Sequence, residues 1–227
     1  NVDLIIQALH EGKSNDITFT IRKEELIQAK EQSKALIESF GGNLLIQNDM
    51  SKLSISGAGI MGRPGIAAKL FETLSKVGIN LRLIATSEVK VSCVIDANLG
   101  MKALRAVGDF FKLNDKQITL NPIIEKNNDP AVRGIALDKD QIQVCVKNVP
   151  DKPGTASTIC SKLAENNISL DTIVQSERKN EENTKDISFT LKKNDIREAK
   201  YVLEDLISNW KGCKLEEGNA IVRISAV

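Results

Sequence analysis

The densest cluster of chemically useful residues lies at 149–156, which reads Val-Pro-Asp-Lys-Pro-Gly-Thr-Ala. A proline-glycine loop feeding the start of a helix presents unpaired backbone N–H groups and the positive end of the helix dipole, and both favour an anion such as a carboxylate. Gly154 lets that backbone approach a ligand closely. Asp151 or Asp171 supplies a carboxylate for an ammonium group, and Gln175 offers both a donor and an acceptor. Together these groups complement a small molecule carrying a carboxylate and an ammonium. Asp151 has an equally good local reason to be present, as a turn residue ahead of Pro153, and Gln175 and Gln7 also read as solvated strand ends.

Other candidate chemistry is weaker. Gly57 and Gly59 lie in a glycine-rich loop, but no GxxxxGK[ST] follows to cradle a nucleotide. Ser87 and Glu88 read as hairpin-turn residues. His10 has no serine, cysteine or carboxylate constellation around it. Cys93, Cys145, Cys160 and Cys213 have no CxxC spacing and sit mostly among apolar neighbours, so buried reduced thiols in a cytoplasmic-type compartment are expected rather than a metal or disulfide framework. With 31 basic and 30 acidic residues there is no charge excess to drive binding to nucleic acid or a membrane surface, and Lys192-Lys193 reads as a solvated face. No apolar stretch approaches the roughly 20 residues of a membrane helix, and the first residues do not read as a signal segment.

The elements that must position these groups come from an internal repeat. Residues 16–30, DITFTIRKEELIQAK, align without a gap on 186–200, DISFTLKKNDIREAK, at an offset of 170 with seven identities in fifteen positions. Just upstream, DLIIQ from Asp3 matches DTIVQ from Asp171. At a second offset, 89, residues 63–84 pair with 152–173, and the Pro-Gly, the leucines 74 and 163 and the Ile-x-Leu-x-x-Ile segments stay in phase.

Each complete copy reads strand, helix, strand, strand, helix, strand. In the middle copy residues 52–56 alternate as a strand. Ala67, Leu70, Phe71 and Leu74 fall on one helical face and Gly78 stops that helix. Strands are expected at 79–85 and 89–95, a helix over 99–111 and a short last strand at 117–120. The next copy repeats the order from 141, with Ile196, Ala199, Leu203 and Leu206 inward on its second helix. This is a ferredoxin-like α+β unit, an antiparallel sheet with helices on one face. The expected organisation is a second half-unit at 1–47, a complete unit at 51–120, a linker at 121–137, a complete unit at 138–213 and the first strand of a further unit at 219–227. That pattern is the one expected of a segment of a longer chain, with half-unit edges that call for pairing.

The segments LDKDQIQVCVKNVPDKPGTAS from Leu137, ISLDTIVQ from Ile168 and DISFTL from Asp186 resemble the first ACT domain of aspartate kinase regulatory regions. The segment from Lys52, with its GAGIMG loop and TSE before a strand, resembles the second. Their alternation is similar to that of aspartate kinases with four ACT units, as in cyanobacterial-type enzymes. The resemblance implies a cytoplasmic, homo-oligomeric regulatory region. It would bind lysine and/or threonine at ACT–ACT interfaces and hold no cofactor of its own, ATP and magnesium belonging to a kinase domain that these residues do not include. It implies effector contacts from Asp151, Gly154, Thr155, Ala156, Ser169, Asp171 and Gln175, and from the matching Asp3 and Gln7 of the first copy. Thr155 and Ser157 stand where the family usually has Ile and Ala, which makes the loop more polar and leaves lysine and threonine both open. A ligand-free dimerisation module is the alternative.

Overall fold

The computed structural model describes residues 2–9, 15–58, 60, 63–87, 89–120, 134–175 and 183–226. The first half-unit comprises β1 (Val2–Leu9), β2 (Asn15–Ile21) and α1 (Leu26–Phe40). The strands form an antiparallel pair with Ile5 opposite Phe19, and Gly41 ends α1 in the left-handed conformation that suits glycine. The expected strand at the end of this half-unit does not form, and residues 42–48 take no regular structure. In a unit of this type the last strand pairs with the first, and these residues contain no first strand for it. For the same reason α1 buries nothing, and Leu36 and Phe40 of its apolar face stand exposed.

The middle unit is β3 (Met50–Ser56), α2 (Ile66–Lys76), β4 (Leu83–Ser87), β5 (Lys90–Asp96) and α3 (Gly100–Phe111). The expected short strand at its end is instead a 3-10 turn, Asp115–Gln117. Asn114 and Gln117 cap each other's backbone there, so the residues that would open the strand are spent on a capping box. The third unit is β6 (Ile135–Pro150), α4 (Thr155–Glu165), β7 (Thr172–Gln175), β8 (Thr184–Lys192), α5 (Ile196–Ile207) and β9 (Lys214–Ala226).

Two expected boundaries in this unit are corrected. Its last strand begins at Lys214, so an end at 213 falls before the unit closes. Residues 219–226, read as the start of another unit, continue that same strand, with Ile221 opposite Gln141 and Ile224 opposite Leu137. The strand-like alternation there was real, but β6 runs sixteen residues and gives β9 a partner along its length through two bulges. Accordingly Ile135–Leu137, assigned to the linker, are strand; residues 121–133 of the linker lie outside the described residues.

The two larger units share one seven-stranded antiparallel sheet in the order β3-β5-β4-β7-β8-β6-β9. The seam is β4 against β7, where Ile84 faces Gln175 and Ala85 faces Val174. Ala85 and Val174 are each other's counterparts at the repeat offset of 89. An antiparallel pair in which a residue meets its own equivalent has a local two-fold axis, so the sequence repeat becomes a pseudo-symmetric pair of units. Helices α2 and α4 pack across the seam, and one core runs through both units, with Leu70, Phe71, Leu74, Ile84, Ile159, Leu163, Ile173 and Phe189 buried in it.

Strand alternation sends Leu83 and Val94 to the face opposite the helices. There Ile6 of β1 closes a second, smaller apolar cluster with them, rimmed by Leu4, Met50, Ala85 and Val174. An ion pair between Lys52 and Asp3 fastens the same hairpin to the sheet.

Candidate functional site

The pseudo-two-fold axis generates two cavities, one on each side of the seam. Each is built from the loop before the first helix of one unit and the approach to the second strand of the other. Gly154 and Gly65, equivalent in the repeat, sit at the start of α4 and α2 with φ of 100° and 90°. A Cβ on Gly154 would lie 3.0 Å from Ser75 Oγ, and one on Gly65 would lie 3.5 Å from the Ala164 Cβ. Ser75 and Ala164 are themselves equivalent. Gly154 thus lets its loop close onto the end of the other unit's helix, whereas a Cβ at Gly65 would make only ordinary contact there.

In the first cavity Asp151, Gly154, Thr155 and Ala156 come together with Gln175, as the sequence pattern expects, but the other wall belongs to the middle unit: Phe71, Ile79, Asn80 and Leu81. Asn80 Nδ2 donates to Asp151 Oδ1 at 2.7 Å. Gln175 Nε2 donates to the Leu81 carbonyl at 2.8 Å. Lys185, buried to 3% exposure, places Nζ 3.0 Å from Asp151 Oδ1 and donates to the carbonyls of Leu81 at 3.0 Å and Arg82 at 3.4 Å. Thr155 and Ser157 do not make the loop polar toward the cavity. Their hydroxyls are spent on the carbonyls of Pro150 (2.7 Å) and Gly154 (2.9 Å), which leaves their buried carbons as wall.

The second cavity is lined by Arg63, Gly65 and Ala67 from the middle unit's loop, by Thr86 and Ser87 at the end of β4, and by Asp171, Leu170 and Ile173 from the third unit. The Asp171 carboxylate accepts a 2.5 Å hydrogen bond from Gln141 Nε2, and its amide donates to the Thr190 carbonyl at 3.0 Å. Thr86 Oγ1 accepts the Ile173 amide at 2.8 Å. Thr86 is the repeat equivalent of Gln175, but it takes the Ile173 amide, whereas Gln175 donates to the Leu81 carbonyl, the counterpart of Leu170. Cys160 also lines this cavity. Burial pushes its thiol up to about 12, so it is a neutral apolar wall and no nucleophile.

The expected site residues therefore divide. Asp171, grouped by sequence with Asp151 and Gln175, lines the opposite cavity, because it precedes β7 and the seam sends the two ends of that strand to different sides. Ser169 is half-buried and lines neither cavity. Asp3 and Gln7 are exposed on β1, and Asp3 is engaged by Lys52. Sequence reasoning missed Asn80, Leu81 and Lys185. The first two were within reach, since Asn80 is the repeat equivalent of Ser169. Lys185 was not, because lysine is almost never fully buried unless paired.

Family models described as ACT domain match residues 53–111 and 145–209, which together are more than half of the chain. The chain belongs to the ACT-domain family. The ACT units are homologous to aspartate kinase regulatory regions. A crystal structure of aspartate kinase from Synechocystis is 41% identical with a TM-score of 0.89, covering 100% of this chain and 40% of that one. An aspartokinase of Thermus thermophilus is 36% identical over 115 residues, 50% of this chain and 28% of the relative. Aspartokinase 2 of Bacillus subtilis is 34% identical over 119 residues, again 50% and 28%. This tandem ACT region thus spans well under half the length of the aspartokinases it matches. No described helix is long and apolar enough to cross a membrane.

Proposed function

We propose that this ACT region is the feedback-control segment of a cytoplasmic aspartate kinase. In this reading it binds lysine and/or threonine at the seam between its units and so controls phosphorylation of aspartate by a kinase domain that uses ATP and magnesium. The observation that carries the reading is the pair of cavities across the β4–β7 seam. Each combines a glycine loop at a helix start with residues of the other unit. A carboxylate suits the loop amides, and Asp171 suits an ammonium. A ligand held by both units couples its binding to how the units sit together, which is what an effector needs in order to favour one state over another. The exposed apolar face of α1 supports pairing with further ACT units in a homo-oligomer.

Isothermal titration with lysine and threonine, separately and together, tests the reading, with the complete regulatory region as control. Binding by either amino acid at millimolar concentration or below is expected. Absence of heat from both proteins would favour the alternative, a ligand-free dimerisation module, for which the hydrogen bonds already closing the Asp151 cavity give a structural motive.

A further inference from the structure

The two cavities are equivalent by symmetry but not by content. The side around Asp151 has a cavity volume of about 10 Å³, against about 50 Å³ on the Asp171 side; the smaller barely admits one water. What fills it is Lys185. An ammonium has three N–H donors, and Lys185 has three acceptors around it: Asp151 Oδ1, the Leu81 carbonyl and the Arg82 carbonyl. One carboxylate and two carbonyls in a buried cup form the acceptor set that a free amino acid's α-ammonium would require.

We propose that Lys185 is a built-in surrogate for that ammonium, which keeps the Asp151 cavity permanently occupied and leaves the Arg63–Asp171 cavity as the place where a free amino acid binds. The inference rests on the effector-binding reading above for its second half, while the first half stands on the Lys185 geometry alone. Burying an ammonium is costly unless it is paired and fully hydrogen-bonded, and with its three donors met Lys185 has none left for a ligand carboxylate. The surrogate is particular to this unit. Pairing of Gln175 with Ile187 in β8, and of Thr86 with Val91 in β5, puts Lys185 and Val89 at equivalent positions, and Val89 is apolar and 55% exposed. In the first half-unit the repeat offset of 170 puts Asn15 at the same place.

Titration of the full chain and its Lys185→Asn variant, which takes the first half-unit's residue, tests the proposal. The unaltered chain is expected to bind one equivalent of threonine or lysine, lost in Asp171→Asn. Lys185→Asn is expected to bind two, the second lost again on adding Asp151→Asn. Unchanged stoichiometry in Lys185→Asn, or binding by the unaltered chain that depends on Asp151 rather than Asp171, overturns the proposal. Should neither protein bind an amino acid, the effector reading fails, and the surrogate is judged on Lys185→Ala. Ethylammonium chloride should raise that variant's melting temperature more than sodium chloride does, and equal effects of the two salts overturn it. Amine labelling covers a variant that does not fold. In the unaltered chain Lys185 should resist reductive methylation at least ten-fold more than Lys152, and equal labelling refutes burial of the ammonium.

Discussion

Asn80 and Asp151 lie in different ACT units, and the Asn80 side-chain amide donates a 2.7 Å hydrogen bond to the Asp151 carboxylate. The Asn80 oxygen in turn accepts the Leu81 amide at 3.1 Å, so one side chain both shapes the approach to β4 and clasps the partner unit's loop. Hydrogen bonds to charged groups contribute about 1.5–3 kcal/mol, and Asn80 is half-buried, which sets the lower end as the expectation. Asn80→Ala should therefore destabilise the chain by about 1.5 kcal/mol in urea denaturation. A change below about 0.5 kcal/mol would mean that this clasp contributes nothing at the seam.

Gln175 separates the structural and regulatory roles of the seam. Its amide reaches the Leu81 carbonyl, which also accepts from Lys185, so removing Gln175 leaves no orphaned acceptor. Gln175→Ala should cost only about 0.5–1.5 kcal/mol. On the proposed effector reading, inhibition of the complete kinase by lysine or threonine should nevertheless weaken, because the seam through which a ligand would couple the two units is loosened. Unaltered inhibition curves in this variant would show that the Gln175–Leu81 contact carries none of the coupling across the seam.

Gly154 should be far less tolerant than Gly78, although both adopt positive φ, 100° and 73°. A Cβ at Gly154 meets Ser75 Oγ at 3.0 Å, while nothing lies within 4 Å of one at Gly78. Left-handed backbone costs an L-residue roughly 1–2 kcal/mol, so Gly78→Ala should lose about that much. Gly154→Ala should lose more and shift the contact between α2 and the third unit's loop. Equal melting temperatures for the two variants would contradict the close approach.

The order of elements was legible in the sequence because each depends on local periodicity: Leu70, Phe71 and Leu74 mark α2, and Ile159, Cys160 and Leu163 mark α4. The repeat likewise announced two equivalent units. What periodicity cannot encode is how one unit meets another. Asp171 and Gln175 are four residues apart and look like one site, but the seam turns the two ends of β7 toward different cavities. Lys185 and Asn80 are polar residues whose partners in the other unit lie 104 and 71 positions away, and no local pattern marks either. The boundaries at 213 and 219 failed for a related reason, since only the length of β6 shows that a single strand covers both.

The buried thiols give a pH dependence of known sign. Burial raises Cys93 and Cys160 from an ordinary value near 9 to about 12. In the unfolded chain these thiols ionise near 9, while in the folded protein they stay protonated. Their contribution to stability is therefore fully present below pH 9 and is lost as pH rises from 9 toward 12, by up to about 1.4 kcal/mol per unit for each thiol. Replacing both by alanine should flatten the decline in stability between pH 9 and 10.5 relative to the unaltered chain. Parallel declines would show that other groups carry it.

Ile6 offers the most direct test of how the first half-unit is held. Its side chain is 4% exposed against Leu83 and Val94 on the sheet's helix-free face, while the strand next to it leaves Ile17 and Phe19 largely exposed. A two-stranded hairpin is marginal alone in water, so β1 and β2 depend on this contact and on the Asp3–Lys52 ion pair. The pair is partly exposed and contributes little, and the apolar contact should dominate. Ile6→Ala should cost about 2–4 kcal/mol locally, seen as faster amide hydrogen exchange throughout β1 and β2 with protection in β4 to β8 unchanged. Asp3→Asn should accelerate exchange only slightly. If Asp3→Asn released the hairpin and Ile6→Ala did not, electrostatics rather than burial would be holding the half-unit to the sheet.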